Sequence, residues 1–195
     1  WLQGKLVYQV DLLDKNPDIV QCWTCAYLIN NEGDKVGIFP SKSSRLIYPE
    51  IIQTKDIALS YALVGHHSTQ MYRRSARKLE LLKGPFLDYW VAFVNSLEGK
   101  SFYSKEILSF YRIGGIDSLT RNQSRKRVTV DLLSTHLKKI IDEYPEFSSE
   151  AKANMITRFL ISKMRGHELS VIKENLKFIK NIRVSYFLIL KSFIY

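Results

Sequence analysis

The sequence predicts an α+β fold, a small N-terminal antiparallel sheet or hairpin followed by a mostly helical C-terminal part. Three observations predict it. Apolar residues alternate along the first fifty positions. From Thr54 onward the apolar period changes from two to 3.6. The 195 residues are 46% hydrophobic, enough to bury a sizeable core and to exclude wholesale disorder. The period change divides the chain into a β-rich subdomain, 1–52, and a helical subdomain, 53–195, expected to pack as one compact unit.

In chain order, Lys5 to Leu13 carries Leu6, Tyr8 and Val10 in alternation and reads as a strand. Ile19 to Ile29 is a second apolar run, rich in β-branched and aromatic residues. Asn30 to Asp34 is a turn, and Val36 to Phe39 resumes the strand, so 19–39 reads as a hairpin closed by Pro40. Arg45 to Tyr48 reads as a short further strand. Thr54 caps a helix over Asp56 to Val64, with Asp56 favourable at its positive end. A second helix is expected from Ser68 to Lys83, a third from Phe86 to Leu97 and a fourth from Ser104 to Ile113, ended by Gly114-Gly115. Ile116 to Val128 reads as a loop. Thr129 caps a helix to Tyr144, with Val130, Leu133, Leu137, Ile140, Ile141 and Tyr144 on one face. Helices follow at Ser149 to Met164 and His167 to Lys180, and 184–195 fits either a buried strand or a short helix.

Charge divides as unevenly as period does. The chain carries 29 Lys and Arg against 19 Asp and Glu, a net +10. Residues 1–52 are close to neutral at −1, 53–130 hold +7 and 131–195 hold +4. On the expected second helix Arg73, Arg74, Arg77 and Lys78 fill one arc, opposite Tyr72, Ala76 and Leu79. In the expected loop Arg121, Arg125, Lys126 and Arg127 stand among Asn122, Gln123 and Ser124. Arginine forks match phosphate geometry, and each phosphate neutralised releases counterions. A weaker stripe, Lys173, Lys177 and Lys180, reads as a solvated helix edge.

Cys22 and Cys25 are the only cysteines. A zinc site needs two more ligands at matching spacing, and none is found. Side chains three apart in a strand point to opposite faces, so the pair reads as two free thiols. That fits a reducing, intracellular compartment, cytoplasmic or nuclear. The chain opens with Trp1, as a domain or processed fragment does. No apolar run reaches the twenty or so residues of a transmembrane helix.

Val64-Gly-His-His-Ser-Thr-Gln-Met-Tyr-Arg73 resembles the last box of tyrosine recombinases, in which Gly-His-x-Ser precedes a nucleophilic tyrosine. The resemblance covers ten residues. It implies a phosphate-stabilising role for His66 and a nucleophilic one for Tyr72. The tyrosine comes about three residues early, and the catalytic Arg and Lys would have to lie in a segment that reads as a hairpin. The alternative is a helix–helix junction, with Gly65 ending one helix and Ser68 capping the next. No Gly-rich phosphate loop occurs, no carboxylate signature of a metal nuclease follows a strand, and no cofactor is implied. Phe102 and Tyr103, placed between helices, are weak candidates for base stacking.

The expectation is a nucleic-acid-binding protein or domain, for DNA or structured RNA, acting as a non-catalytic part of a larger assembly with other subunits. Two alternatives stand beside it. One is a nucleic-acid enzyme fragment, of recombinase or nuclease type. The other is a basic structural or matrix-type protein that meets acidic partners or an anionic membrane surface.

Overall fold

The computed structural model describes residues 1–114, 123–164 and 184–195, without the side chains of 123–127 and 162–164. The fold is α+β. Its first element is a helix, α1 (Lys5–Lys15), where the sequence predicts a strand. The physical reason is an inverted amphipathic pattern. Lys5, Gln9 and Leu13 face inward, whereas Leu6, Val7 and Val10 are 49%, 72% and 47% exposed. The apolar residues sit on the outer face, so their spacing imitates an alternating strand. Inside, the Lys5 ammonium donates to Gln9 Oε1 at 2.7 Å and lies 4.4 Å over the Trp1 ring. Gln9 Nε2 donates to the Thr69 carbonyl at 2.9 Å.

The hairpin is present as β1 (Ile19–Ile29) and β2 (Lys35–Phe39), antiparallel, with Tyr27 opposite Ile38. Its turn is closed by Asp34 N–H to Asn30 Oδ1 at 2.7 Å, and Gly33 takes φ +96°. Arg45 to Tyr48 is a helix rather than a strand: α2 (Lys42–Ile47) starts where Ser41 Oγ accepts from the Ser44 amide. After β3 (Ile51–Ile52) comes α3 (Thr54–Leu59), shorter than expected. Gln53, not Thr54, stands at its cap, with the Gln53 amide donating to Asp56 Oδ2. The Thr54 hydroxyl instead reaches the Ser96 carbonyl.

The expected helix over 68–83 does not form. The segment contains β4 (Gln70–Tyr72), antiparallel to β1, and single 3-10 turns at His67–Thr69, Arg74–Ala76 and Leu79–Leu81. Gly65 ends no helix; it passes against the Trp23 indole, where a Cβ would stand 2.6 Å from Cδ1. Next, α4 (Asp88–Ser96) bears out the expected third helix. The fourth is overturned: 100–112 is the long strand β5 (Lys100–Arg112), ending before Gly114. Ile107, Leu108, Phe110 and Tyr111 imitate a helical face because β5 is bulged. From Trp23 to Cys25, β1 advances two residues while β5 advances four, Tyr103 to Ile107. The Ser104 hydroxyl accepts the Glu106 amide inside this bulge.

The strands form one mixed sheet in the order β2-β1-β5-β3, with β4 also on β1. The hairpin pairs are antiparallel as expected, but the central β1–β5 pair is parallel. Because β5 lies beyond residue 52, the sheet draws on both sides of the expected subdomain boundary. Alternation along β1 sends Cys22 into a small cluster with Leu13 and Ile19, beside α1, and Trp23 and Cys25 into the main core. Both cysteines are free and buried. Gln21 ties the sheet to α4, donating to the Ala92 carbonyl at 2.7 Å and to Ser101 Oγ at 2.8 Å while accepting from Gln70.

The main core is closed by α5 (Gln123–Glu143) and α6 (Ser148–Met164), separated at Pro145. Leu133, Leu137 and Ile140 are buried as the period predicts, while Val130 is 38% exposed. Thr129 is inside α5 rather than at its cap. The last element is a helix, α7 (Tyr186–Ile194), whose Ser192 hydroxyl donates to the Leu59 carbonyl. The expected helix at 167–180, with its lysine stripe, lies outside the described residues. No helix among the described residues is long and apolar enough to cross a membrane.

Candidate nucleic-acid interface

The cations expected on one helical arc instead follow β4 along the strap 73–83, and the strap sorts them. Arg73 is an anchor. Its amide donates to the Val20 carbonyl at 2.8 Å and its Nε to the Ile19 carbonyl at 2.9 Å. Its guanidinium also donates to the carbonyls of Leu13 and Asn16, neutralising the negative end of α1. Arg74 is exposed and makes no ion pair among the described residues. Ala76, 1% exposed, pins the next turn to the body. Arg77 is exposed and lies 5.7 Å over the Tyr72 ring. Lys78 pairs with Glu98 at 3.2 Å. Buried Leu82 and the Leu81 carbonyl, which accepts from Trp90 Nε1 at 2.8 Å, hold the strap's far end on α4. Lys83 is exposed beyond it, an outward cation that the assumed helix concealed and the turn at Gly84-Pro85 could have signalled.

The second expected cluster is only partly described. Arg121 lies outside the described residues. Arg125, Lys126 and Arg127 lie in α5, not in a loop, and the structure describes their backbone alone.

His66 and Tyr72 are not brought into one site. The His66 ring is stacked on Tyr111 at 3.7 Å between ring centres and 5° between planes, and against Phe39 at 4.0 Å. Burial pushes its pKa down to about 4, so the imidazole is neutral at neutral pH and brings no positive charge to a phosphate. Tyr72 belongs to the β4–β1 pairing opposite Gln21, under Arg77. A second histidine, His136, is also neutral. It accepts the Leu87 amide at 3.2 Å and stacks on Trp90, and burial and Lys139 push its pKa down to about 4. Phe102 and Tyr103 lie in β5 rather than between helices. Phe102 packs against the small cluster and Tyr103 is 4% exposed, so neither presents a face to a base.

A groove of about 410 Å³ opens beside the N-terminal ends of β1 and β5. Asp18 and Glu98 line it, paired with Lys100 and Lys78. Its carboxylates suit it poorly to phosphate, unlike the open face of the strap. Among the described residues no group of three or more His, Cys, Asp or Glu is placed to hold a metal ion. No family model, curated protein or solved structure matches the chain.

Proposed function

We propose that the chain binds nucleic acid, DNA or structured RNA, through its surface and without catalysis, as part of a larger assembly. The observation that carries this reading is the strap. Arg74, Arg77 and Lys83 point outward without acidic partners among the described residues, on a segment held at both ends. A backbone already held in place leaves less chain freedom to lose when its cations meet a phosphate. Stacking on Tyr72 orients the Arg77 fork. The +7 charge of 53–130 adds long-range attraction for a polyanion. Two buried free thiols suit an intracellular setting.

The test is affinity for duplex DNA and structured RNA as a function of salt, for the wild type and for Arg74→Ala/Arg77→Ala/Lys83→Ala together. Binding should weaken steeply between roughly 50 and 200 mM salt, and the triple variant should have a log–log slope shallower by about 3. Affinity that ignores salt, or a slope the triple variant leaves unchanged, overturns the reading. Anionic vesicles in the same titration separate general polyanion attraction from nucleic-acid binding.

A further inference from the structure

Between α2 and β5 lies a small cavity of about 10 Å³, lined by Cys25, Arg45, Tyr48, Tyr103, Ser104 and Lys105. That is room for one occupant of about the size of a water molecule. Tyr103 stacks on Trp23 with ring centres 6.1 Å apart and meets Tyr48 edge-on at 5.9 Å, so its ring is held from both sides. Its hydroxyl is buried and has no hydrogen-bond partner among the described residues. The same is true of Arg45 Nε.

Arg45 also lacks a counter-charge: no carboxylate among the described residues pairs with it, whereas Lys105 is paired with Glu50 at 3.1 Å. Cys25 is no substitute. Its thiol donates to the Ser104 carbonyl at 3.4 Å, and burial raises its pKa above the ordinary value, so it stays neutral although the Arg45 guanidinium touches it. Glu106 is close enough to oppose thiol ionisation further, but it is exposed and does not line the cavity. What surrounds the void is one uncompensated cation and two unanswered donors. Each unanswered buried donor carries its desolvation cost, and an unpaired half-buried charge adds to it. A water molecule would accept from the donors but would leave the Arg45 charge unmatched.

We propose that this cavity binds a small monatomic anion, of the size and charge of chloride, held by Arg45 Nε and the Tyr103 hydroxyl. The site shares no residue with the strap and stands or falls independently of nucleic-acid binding.

The test is thermal unfolding at constant ionic strength, with chloride or bromide exchanged for gluconate, which is too large to enter. At ten times its dissociation constant the halide should raise the melting temperature by roughly 3–6 °C. Tyr103→Phe and Arg45→Met should each abolish the halide-specific rise. A crystal grown in bromide should show an anomalous-scattering peak within hydrogen-bond distance of both residues. Equal melting in halide and gluconate, with no bromide peak, overturns the proposal. Should Arg45→Met fail to fold, Tyr103→Phe, which removes one oxygen, and the bromide crystal still decide.

Discussion

Arg73 and Arg74 are adjacent in sequence and opposite in duty. Arg73 serves the carbonyls at the end of α1 and the start of β1. Charge-assisted hydrogen bonds of this kind are worth about 1.5–3 kcal/mol, although the Leu13 and Asn16 carbonyls also accept the amides of Asn16 and Ile19. Arg73→Ala should therefore lower stability by about 1–3 kcal/mol in urea unfolding, while Arg74→Ala should change it by no more than about 0.5 kcal/mol. The effects on salt-dependent binding should run the other way, with Arg74 the larger. His66 and His136 set a pH dependence. Each is held neutral down to about pH 4, whereas in the unfolded chain each takes up a proton near 6.5. Between these values the unfolded state binds more protons, so stability falls as pH drops from 6.5 to 4. The change is at most about tenfold in the folding constant per pH unit for each histidine. His66→Phe keeps a ring between Phe39 and Tyr111 and should flatten the measured curve over that window. A curve unchanged by the substitution would show that His66 titrates normally. Cys22 acts at the other extreme: burial pushes its thiol up to about 11, so its contribution is lost as pH rises from about 9 to 11.

Elements differ in how far their residues reveal them. The hairpin was legible because β1, the Asn30–Asp34 turn and β2 satisfy local and tertiary demands together. In α5 the apolar period matches the buried face, as Leu133, Leu137 and Ile140 show, whereas α4 is buried on every side from Tyr89 to Ser96. Four elements differ from the expected pattern: α2, set by its Ser41 cap, and three whose periodicity answers to something other than the core. In α1 the apolar stripe faces outward. In β5 the bulges break the period of two. In the strap, a helix would have buried Leu79, which is 63% exposed, whereas pairing of Met71 with Cys22 on β1 decides the local conformation. The expected arc of four cations failed with that helix. Its charges remain on the same segment, but only tertiary bonds distinguish Arg73 from Arg74 and Arg77, and no local pattern encodes those bonds. Gly65 shows the same dependence on distant residues. Gly65→Ala would drive a methyl into Trp23 and should cost about 1–3 kcal/mol, seen as a lowered urea midpoint with an unchanged slope.

At the scale of the molecule, the parallel β1–β5 pair is the seam that joins strands from before and after residue 52 in one sheet. Ile19 pairs with Lys100, and Ile29 with Arg112. A fragment ending at residue 99 keeps the hairpin, β4 and α4 but loses the strand that joins β1 to β3. Such a fragment should show no cooperative thermal transition by circular dichroism. A sharp transition would mean that the first half folds alone and that the seam is dispensable. The seam also places the chain in time. On the ribosome, β1 is finished long before its partner has been made. At about 5–20 residues per second, the 81 positions from Ile19 to Lys100 take roughly 4–16 s to synthesise, an interval in which the buried edge of β1 is bare. During that interval the backbone donors and acceptors on that edge of β1 must be met by water or by other segments of the chain.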